Sequence, residues 1–130
     1  MDSDRLEAFP LLAMLPEAER TALAGVIQEE AIEPGRAVTR VGDFGYAFYA
    51  IEEGAAEVKS SDDELLRTLG PGDTFGEIAL LLAGRRSATV VATTPMRVLT
   101  LFGGDFLRIR DDVPAFEAAL RDASSATLAS

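Results

Sequence analysis

Residues 75–92 read FGEIALLLAGRRSATVVA, and their charge differs from that of the rest of the chain. The whole sequence carries 22 acidic and 12 basic side chains, yet no carboxylate lies between Glu77 and Asp105. An adjacent pair of cations, Arg85 and Arg86, lies inside that interval. A guanidinium pair without acidic neighbours in sequence is suited to an anionic ligand, because charge-assisted hydrogen bonds to an oxyanion are among the strongest.

The residues before the arginine pair add a second feature suited to an anion. EIALLLAG is rich in Leu and Ala and poor in β-branched residues, which predicts one or two helical turns ending at Gly84. Gly76 allows the backbone to approach a neighbouring group closely just before this turn. Such a helix would present free amides at Ile78 and Ala79 and the positive end of its dipole. Together with Arg86, these groups predict an oxyanion site.

Glu77, at the start of this turn, is an acceptor-only group, so a matching ligand carries a hydroxyl close to its phosphate. Simpler interpretations exist for each residue. Arg86 could form an internal ion pair, and Glu77 could be favoured by the helix dipole alone. Ser87 could serve only as a turn or strand-entry residue. Arg85 fits a solvated surface arginine better than a ligand contact.

The composition predicts one globular domain and disfavours an enzyme, although catalysis through carboxylates stays open. The chain has 130 residues, a net charge of −10, no Cys and no His. The acidic balance argues against a nucleic-acid partner. The missing Cys and His exclude disulfides, thiolate metal sites and the usual general base, so we expect no metal and no cofactor. No apolar run approaches about eighteen residues, and the first residues are acidic, so we expect no membrane contact and a cytoplasmic protein. We also expect a bacterial source.

The pattern along the chain changes twice. Residues 1–30 are predicted to form N-terminal helices. Short β-rich runs separated by glycine about every ten residues fill 31–102, which predicts an all-β sandwich or barrel. Within them, YAFYAIEE at 46–53 is apolar on both faces and predicts a strand covered on both sides. Residues 103–130 are predicted to be helical again, with four residues on one stripe: Phe116, Leu120, Ala123 and Thr127.

These features resemble the cyclic nucleotide-binding domain family over nearly the whole chain. The family has a phosphate-binding cassette similar to F-G-E-[IL]-A-L…P-R-[AST]-A-T-V, which FGEIAL at 75–80 and RSATV at 86–90 match. Glycine-containing turns match as well, at GD (42–43), YAIEEG (49–54) and LGPGD (69–73). The resemblance implies a mainly β jelly-roll sandwich (a double-stranded β-helix) with flanking N- and C-terminal α-helices. It implies a single domain over 1–130 with its cassette at 75–90.

The resemblance also implies a set of site residues. Glu77 would accept a hydrogen bond from the ribose 2′-hydroxyl. Arg86, with the amides near Ile78 and Ala79, would hold the cyclic phosphate. The complete set expected around sugar and phosphate is Gly76, Glu77, Ile78, Ala79, Arg86, Ser87 and Ala88. The apolar side of the ligand cavity, counted in an ungapped register, is expected at Val58, Leu66 and Leu69.

The implied ligand is cyclic AMP, ahead of cyclic GMP. Ser87 does not decide between them, because a hydroxyl residue after the arginine favours guanine in some members but also occurs in cyclic AMP binders. One departure concerns Arg85, which stands where the family usually has proline. Losing proline widens the freedom of the unfolded loop, an effect of roughly a kcal/mol or less.

The implied function is a non-catalytic sensor that relays ligand binding through its C-terminal helices to an effector domain or partner protein. The stripe in 103–130 could be core packing, a lid over the base or a homodimer helix. The alternative is a ligand-independent domain used for protein association. A cupin-like enzyme would need histidines, and a helix-turn-helix regulator would need more than the 26 residues after Gly104. DDE at 62–64 fits a solvated turn better than a calcium loop.

Overall fold

The computed structural model describes residues 1–45, 47–76, 85–86, 88–115 and 118 of the chain. Short helices open it, beginning with a 3₁₀ helix at Ser3–Ala8. Two α-helices follow, α1 at Pro10–Ala13 and α2 at Glu17–Ala24. After the strands, the chain continues as helix α3, Gly103–Asp112.

Eight strands lie between these helices in the described part of the chain. They are β1 Gln28–Ile32, β2 Ala37–Thr39, β3 Ala47–Glu53, β4 Ala56–Lys59, β5 Leu65–Leu69, β6 Thr74–Phe75, β7 Thr89–Ala92 and β8 Met96–Phe102. They form two antiparallel four-stranded sheets, in the order β1-β8-β3-β6 and β2-β7-β4-β5. Two antiparallel sheets between which the chain crosses repeatedly are the jelly-roll arrangement, so the predicted fold class is confirmed.

The core consists of two buried clusters on opposite sides of the first sheet. Phe48 and Ala50 of β3 lie in a cluster with apolar residues of the N-terminal helices. Ile51 belongs to the second cluster, and Tyr49 packs against it. Because successive side chains of a strand point to opposite faces, β3 is covered on both sides, as predicted. The second cluster lies between the two sheets and also contains residues of β4, β5, β6 and β7.

The predicted end of the N-terminal helices is wrong. Helix α2 ends at Ala24 with Gly25 as its C-cap, and residues 28–30 belong to strand β1. The sequence QEEAI carries little strand propensity, with Ile32 its single buried residue. Pairing along β8 from Gln28↔Thr100 to Ile32↔Met96 places it in the sheet, because tertiary pairing overrides a weak local preference.

The acidic segment at 62–64 forms a hairpin tip between β4 and β5. The Ser60 hydroxyl accepts hydrogen bonds from the amides of Asp62 and Glu64, and Asp63 has a left-handed backbone with φ 64°. Lys59 lies 3.7 Å from the Asp63 carboxylate. The solvated turn is therefore observed, and the described residues contain no group of three or more acidic side chains arranged for a metal ion.

Arg5 ties the 3₁₀ helix to the first sheet by contacting Glu29 of β1 and Glu52 of β3. Its hydrogen bond lowers the pKa of Glu29 below the ordinary value of 4.5. A carboxylate with a lowered pKa in the folded state stabilises the fold above its unfolded pKa, and this contribution is lost as the pH falls through the folded pKa.

We therefore expect Arg5→Gln to lower the melting temperature by roughly 2–4 °C near neutral pH. The difference from wild type should begin to shrink below about pH 4.5, where Glu29 is protonated in the unfolded state, and should be lost as the pH falls through its lowered folded pKa. Thermal unfolding followed by circular dichroism over a pH series measures both values. A difference that stays constant down to about pH 3 would show that Arg5 does not act through the carboxylate.

Candidate functional site

Arg86 is a buried cation, with 8% of its surface exposed. It lies three residues before the start of β7, and its side chain reaches β3 of the first sheet. One terminal nitrogen, Nη1, donates to the Gly76 carbonyl at 2.9 Å, and Nη2 donates to the Ala47 carbonyl at 2.8 Å. These two hydrogen bonds fix the plane of the guanidinium between β3 and the end of β6, because the fork geometry of arginine is rigid.

Gly76 is needed at this position for two reasons. Its backbone has φ +96°, a conformation that L side chains rarely adopt. A Cβ built on it would lie 2.8 Å from Nη1 of Arg86 and 2.9 Å from the Ala47 carbonyl oxygen. The close approach predicted for this glycine is therefore observed, and the groups that approach it are the guanidinium and the backbone of β3.

An aromatic pair connects Arg86 to the cluster between the sheets. The guanidinium carbon lies 5.7 Å from the centre of the Tyr49 ring. That ring stacks on Phe75 with 5.0 Å between centres. Burial of the Tyr49 ring raises the pKa of its hydroxyl, and the nearby Arg86 cation opposes this shift. The hydroxyl therefore stays protonated at neutral pH and remains a hydrogen-bond donor.

The residues predicted for the apolar side of the cavity do not share one environment. Val58 and Leu69 are members of the buried cluster between the sheets. Leu66 is 39% exposed and has no partner in the β4–β5 ladder, because the register shifts at that point. The residue paired with Val58 is Arg67, which is half-buried. Cross-strand partners point to the same face, so Arg67 brings a cation to the side of the sheet where an apolar residue is expected.

The described structure covers part of the predicted cassette. Ala88 is partly buried and packs against the same cluster as Val58 and Leu69. Arg86, Gly76 and this cluster are therefore brought together. Four other predicted residues, and the helix predicted for EIALLLAG, lie outside the described residues: Glu77, Ile78, Ala79 and Ser87. Their roles stay predictions.

Arg85 is exposed, as expected, but it is more than a solvated side chain. Its Nη1 donates to the Gly42 carbonyl at 2.7 Å. Its guanidinium carbon lies 4.3 Å from the centre of the Phe44 ring. The sequence interpretation missed this partner, and the only signal for it is the unusual position of a large aromatic directly after the GD turn.

Residues 29–112 match the family described as the cyclic nucleotide-binding domain. This chain belongs to that family. The match spans more than half of the chain and contains every strand except the first residue of β1. Because the family is a non-catalytic binding domain, the prediction that this chain is not an enzyme is confirmed.

Individual relatives agree with this membership. A cAMP-dependent protein kinase regulatory subunit from Yarrowia lipolytica is 43% identical over 105 residues, which is 80% of this chain and 28% of that protein. A regulatory domain of Toxoplasma gondii PKA, solved with cAMP, is 27% identical with a TM-score of 0.84, covering 95% of this chain and 48% of that one. The regulatory subunit of a cAMP-independent protein kinase A from Trypanosoma brucei is 27% identical with a TM-score of 0.85, covering 94% and 44%.

This cyclic nucleotide-binding domain therefore spans about a quarter of the length of the fungal regulatory subunit that it matches. That subunit is from a fungus, so it gives no support to the expected bacterial source. Among the described residues, none of the helices combines the length and apolar character needed to cross a membrane.

Proposed function

We propose that this domain binds a cyclic nucleotide, with cyclic AMP favoured over cyclic GMP, and acts as a regulatory sensor. The observation that carries the proposal is the position of Arg86. A buried guanidinium is held in a fixed plane at the end of β6, directly beside the start of the cassette. A guanidinium carries five N–H donors, two of which here bind the Gly76 and Ala47 carbonyls, and such donors form charge-assisted hydrogen bonds to a phosphate. A named relative is cAMP-dependent, and a similar structure was solved with cAMP.

In this proposal each cassette residue has a distinct role. Arg86 and the amides near Ile78 and Ala79 hold the cyclic phosphate. Glu77 accepts from the ribose 2′-hydroxyl, and Ser87 and the amide of Ala88 add hydrogen bonds nearby. Val58 and Leu69 contribute apolar surface for the rest of the ligand. A cytoplasmic location and action on an effector domain or partner protein belong to the same proposal.

Helix α3 provides a physical route for the relay. It packs against β3 and β8 of the first sheet, whose strand β3 also supplies the Ala47 carbonyl bound by Arg86. Arg108 of α3 lies 3.5 Å from Glu19 of α2, and Val113, directly after α3, packs against the cluster that contains the N-terminal helices. A ligand can shift α3 only by as much as it prefers one arrangement of these helices over another.

Titration of the domain with cyclic AMP and cyclic GMP, followed by amide chemical shifts, tests the proposal. We expect saturable shifts at Gly76, Arg86 and Ala88, with cyclic AMP binding more tightly. Smaller shifts at Arg108 and Val113 would indicate that binding reaches α3. 5′-AMP serves as the matched control, because it carries the same base and sugar without the cyclic phosphate.

A second function is a ligand-independent domain used for protein association. One observation favours it: a structure with a TM-score of 0.85 to this chain belongs to a regulatory subunit described as cAMP-independent. The same fold thus serves a protein that does not depend on cAMP. If neither nucleotide shifts any amide resonance at about millimolar concentration, the binding free energy is weaker than about −4 kcal/mol. That result would reject the sensor and leave the ligand-independent domain.

A further inference from the structure

The backbone of Arg86 is held by the loop that follows β2. The Arg86 amide donates to the Asp43 carbonyl at 2.6 Å, and the Gly42 amide donates to the Arg86 carbonyl at 3.0 Å. One residue earlier, Arg85 forms an isolated antiparallel bridge with Phe44. Both peptide groups that flank the Arg86 side chain are therefore bound to residues 42–44.

Side-chain contacts fasten the same two segments on their solvent side. Arg85 donates to the Gly42 carbonyl at 2.7 Å and places its guanidinium over the Phe44 ring at 4.3 Å. Phe44 is 54% exposed and belongs to neither buried cluster. A large aromatic in this position is not explained by core packing, whereas a cation above its face is a favourable contact.

We propose that Arg85 and Phe44 form a clasp that positions Arg86 for the ligand phosphate. The clasp consists of these two side chains and the Gly42 carbonyl. It acts through the loop: if residues 42–44 move, the backbone of Arg86 moves with them, and its guanidinium leaves the plane set by Gly76 and Ala47. Arg85 and Phe44 are positioning residues that do not touch the ligand. This inference rests on the proposed function.

Phe44→Leu and Arg85→Gln test the clasp. The first variant keeps an apolar side chain but removes the aromatic face, and the second keeps a polar side chain but removes the charge. We expect each to weaken cyclic AMP binding by roughly two- to tenfold in calorimetry. The double variant should be no weaker than the weaker-binding single variant, because both changes remove one interaction. Phe44→Tyr should retain wild-type affinity. Arg97→Gln changes an exposed arginine of β8 that lies 3.9 Å from Glu53 of β3; it is the matched control and should change nothing.

Amide hydrogen exchange of the ligand-free domain gives a second readout. We expect the amides of Arg86 and Gly42 to exchange roughly two- to tenfold faster in both variants. The Leu99 amide in β8 should be unaffected, which shows that the fold is intact. If wild type binds neither nucleotide, the proposed function fails, and the exchange rates alone decide whether the clasp holds Arg86.

Three results would overturn the clasp. The first is unchanged exchange at Arg86 and Gly42 in both variants. The second is faster exchange with unchanged affinity in a wild type that binds. The third is weaker binding for Arg85→Gln with wild-type binding for Phe44→Leu, which would show that Arg85 contacts the phosphate directly.

Discussion

Arg86→Ala is expected to weaken cyclic nucleotide binding by roughly ten- to a hundredfold. The variant loses a charge-assisted hydrogen bond to the phosphate, which contributes about 1.5–3 kcal/mol. It also removes the buried hydrogen bond that Arg86 Nη2 donates to the Ala47 carbonyl. Leaving that acceptor without its donor should lower the free energy of unfolding by about 1–3 kcal/mol. Calorimetric titration and urea unfolding measure the two effects separately.

Two further variants separate charge from geometry. Arg86→Lys keeps the cation but loses the rigid fork, so we expect an affinity between those of wild type and Arg86→Ala. Arg97→Ala removes an exposed arginine from the same carboxylate-free stretch, and its contact with Glu53 is 3.9 Å long. That control should keep wild-type affinity and lose at most about 0.5 kcal/mol of stability. Equal affinities for wild type and a folded Arg86→Ala would refute the role of Arg86 in phosphate binding.

Much of the fold could be predicted because its local patterns are strong. Glycine-containing turns about every ten residues indicate short strands. The apolar character of both faces of β3 indicates a strand covered on each side, and both clusters are observed. The strand order is different, because it depends on pairs far apart in sequence, such as Glu29↔Leu99. The spacing of apolar residues along a single strand does not indicate which distant strand it pairs with. The jelly-roll strand order was therefore predicted from the family resemblance alone.

Two features of the candidate site could not be predicted, for physical reasons. The register shift in β5 means that an ungapped count selects Leu66, whereas the residue paired with Val58 is Arg67. An irregular ladder changes which side chains share a face, and the sequence does not mark where the shift occurs. The partner of Arg85 is Phe44, which lies far from it in sequence and follows a turn. Only the folded chain brings these two residues together.

Gly76→Ala is expected to damage both stability and ligand binding. The new alanine would have to adopt a backbone φ of +96°. Its Cβ would lie within 3.0 Å of the Arg86 guanidinium and the Ala47 carbonyl. We expect a loss of about 2–4 kcal/mol in the free energy of unfolding, from backbone strain plus steric overlap. Binding should fall by more than roughly tenfold, because relieving the overlap displaces the guanidinium from its plane. Urea unfolding and calorimetry on the same preparation measure both.

Gly35→Ala is the matched control that separates the steric overlap of the new Cβ from the strain of a backbone with positive φ. Gly35 has φ +87°, and a Cβ built on it would have no heavy atom within 4 Å. We expect a loss of about 1 kcal/mol there and wild-type ligand affinity. The double variant Gly76→Ala/Arg86→Ala should lose less stability than the sum of its single variants, since the overlap with the guanidinium is absent. Strict additivity would mean that Gly76 and Arg86 are not coupled, and that the glycine is needed for its backbone conformation and for its closeness to the Ala47 carbonyl.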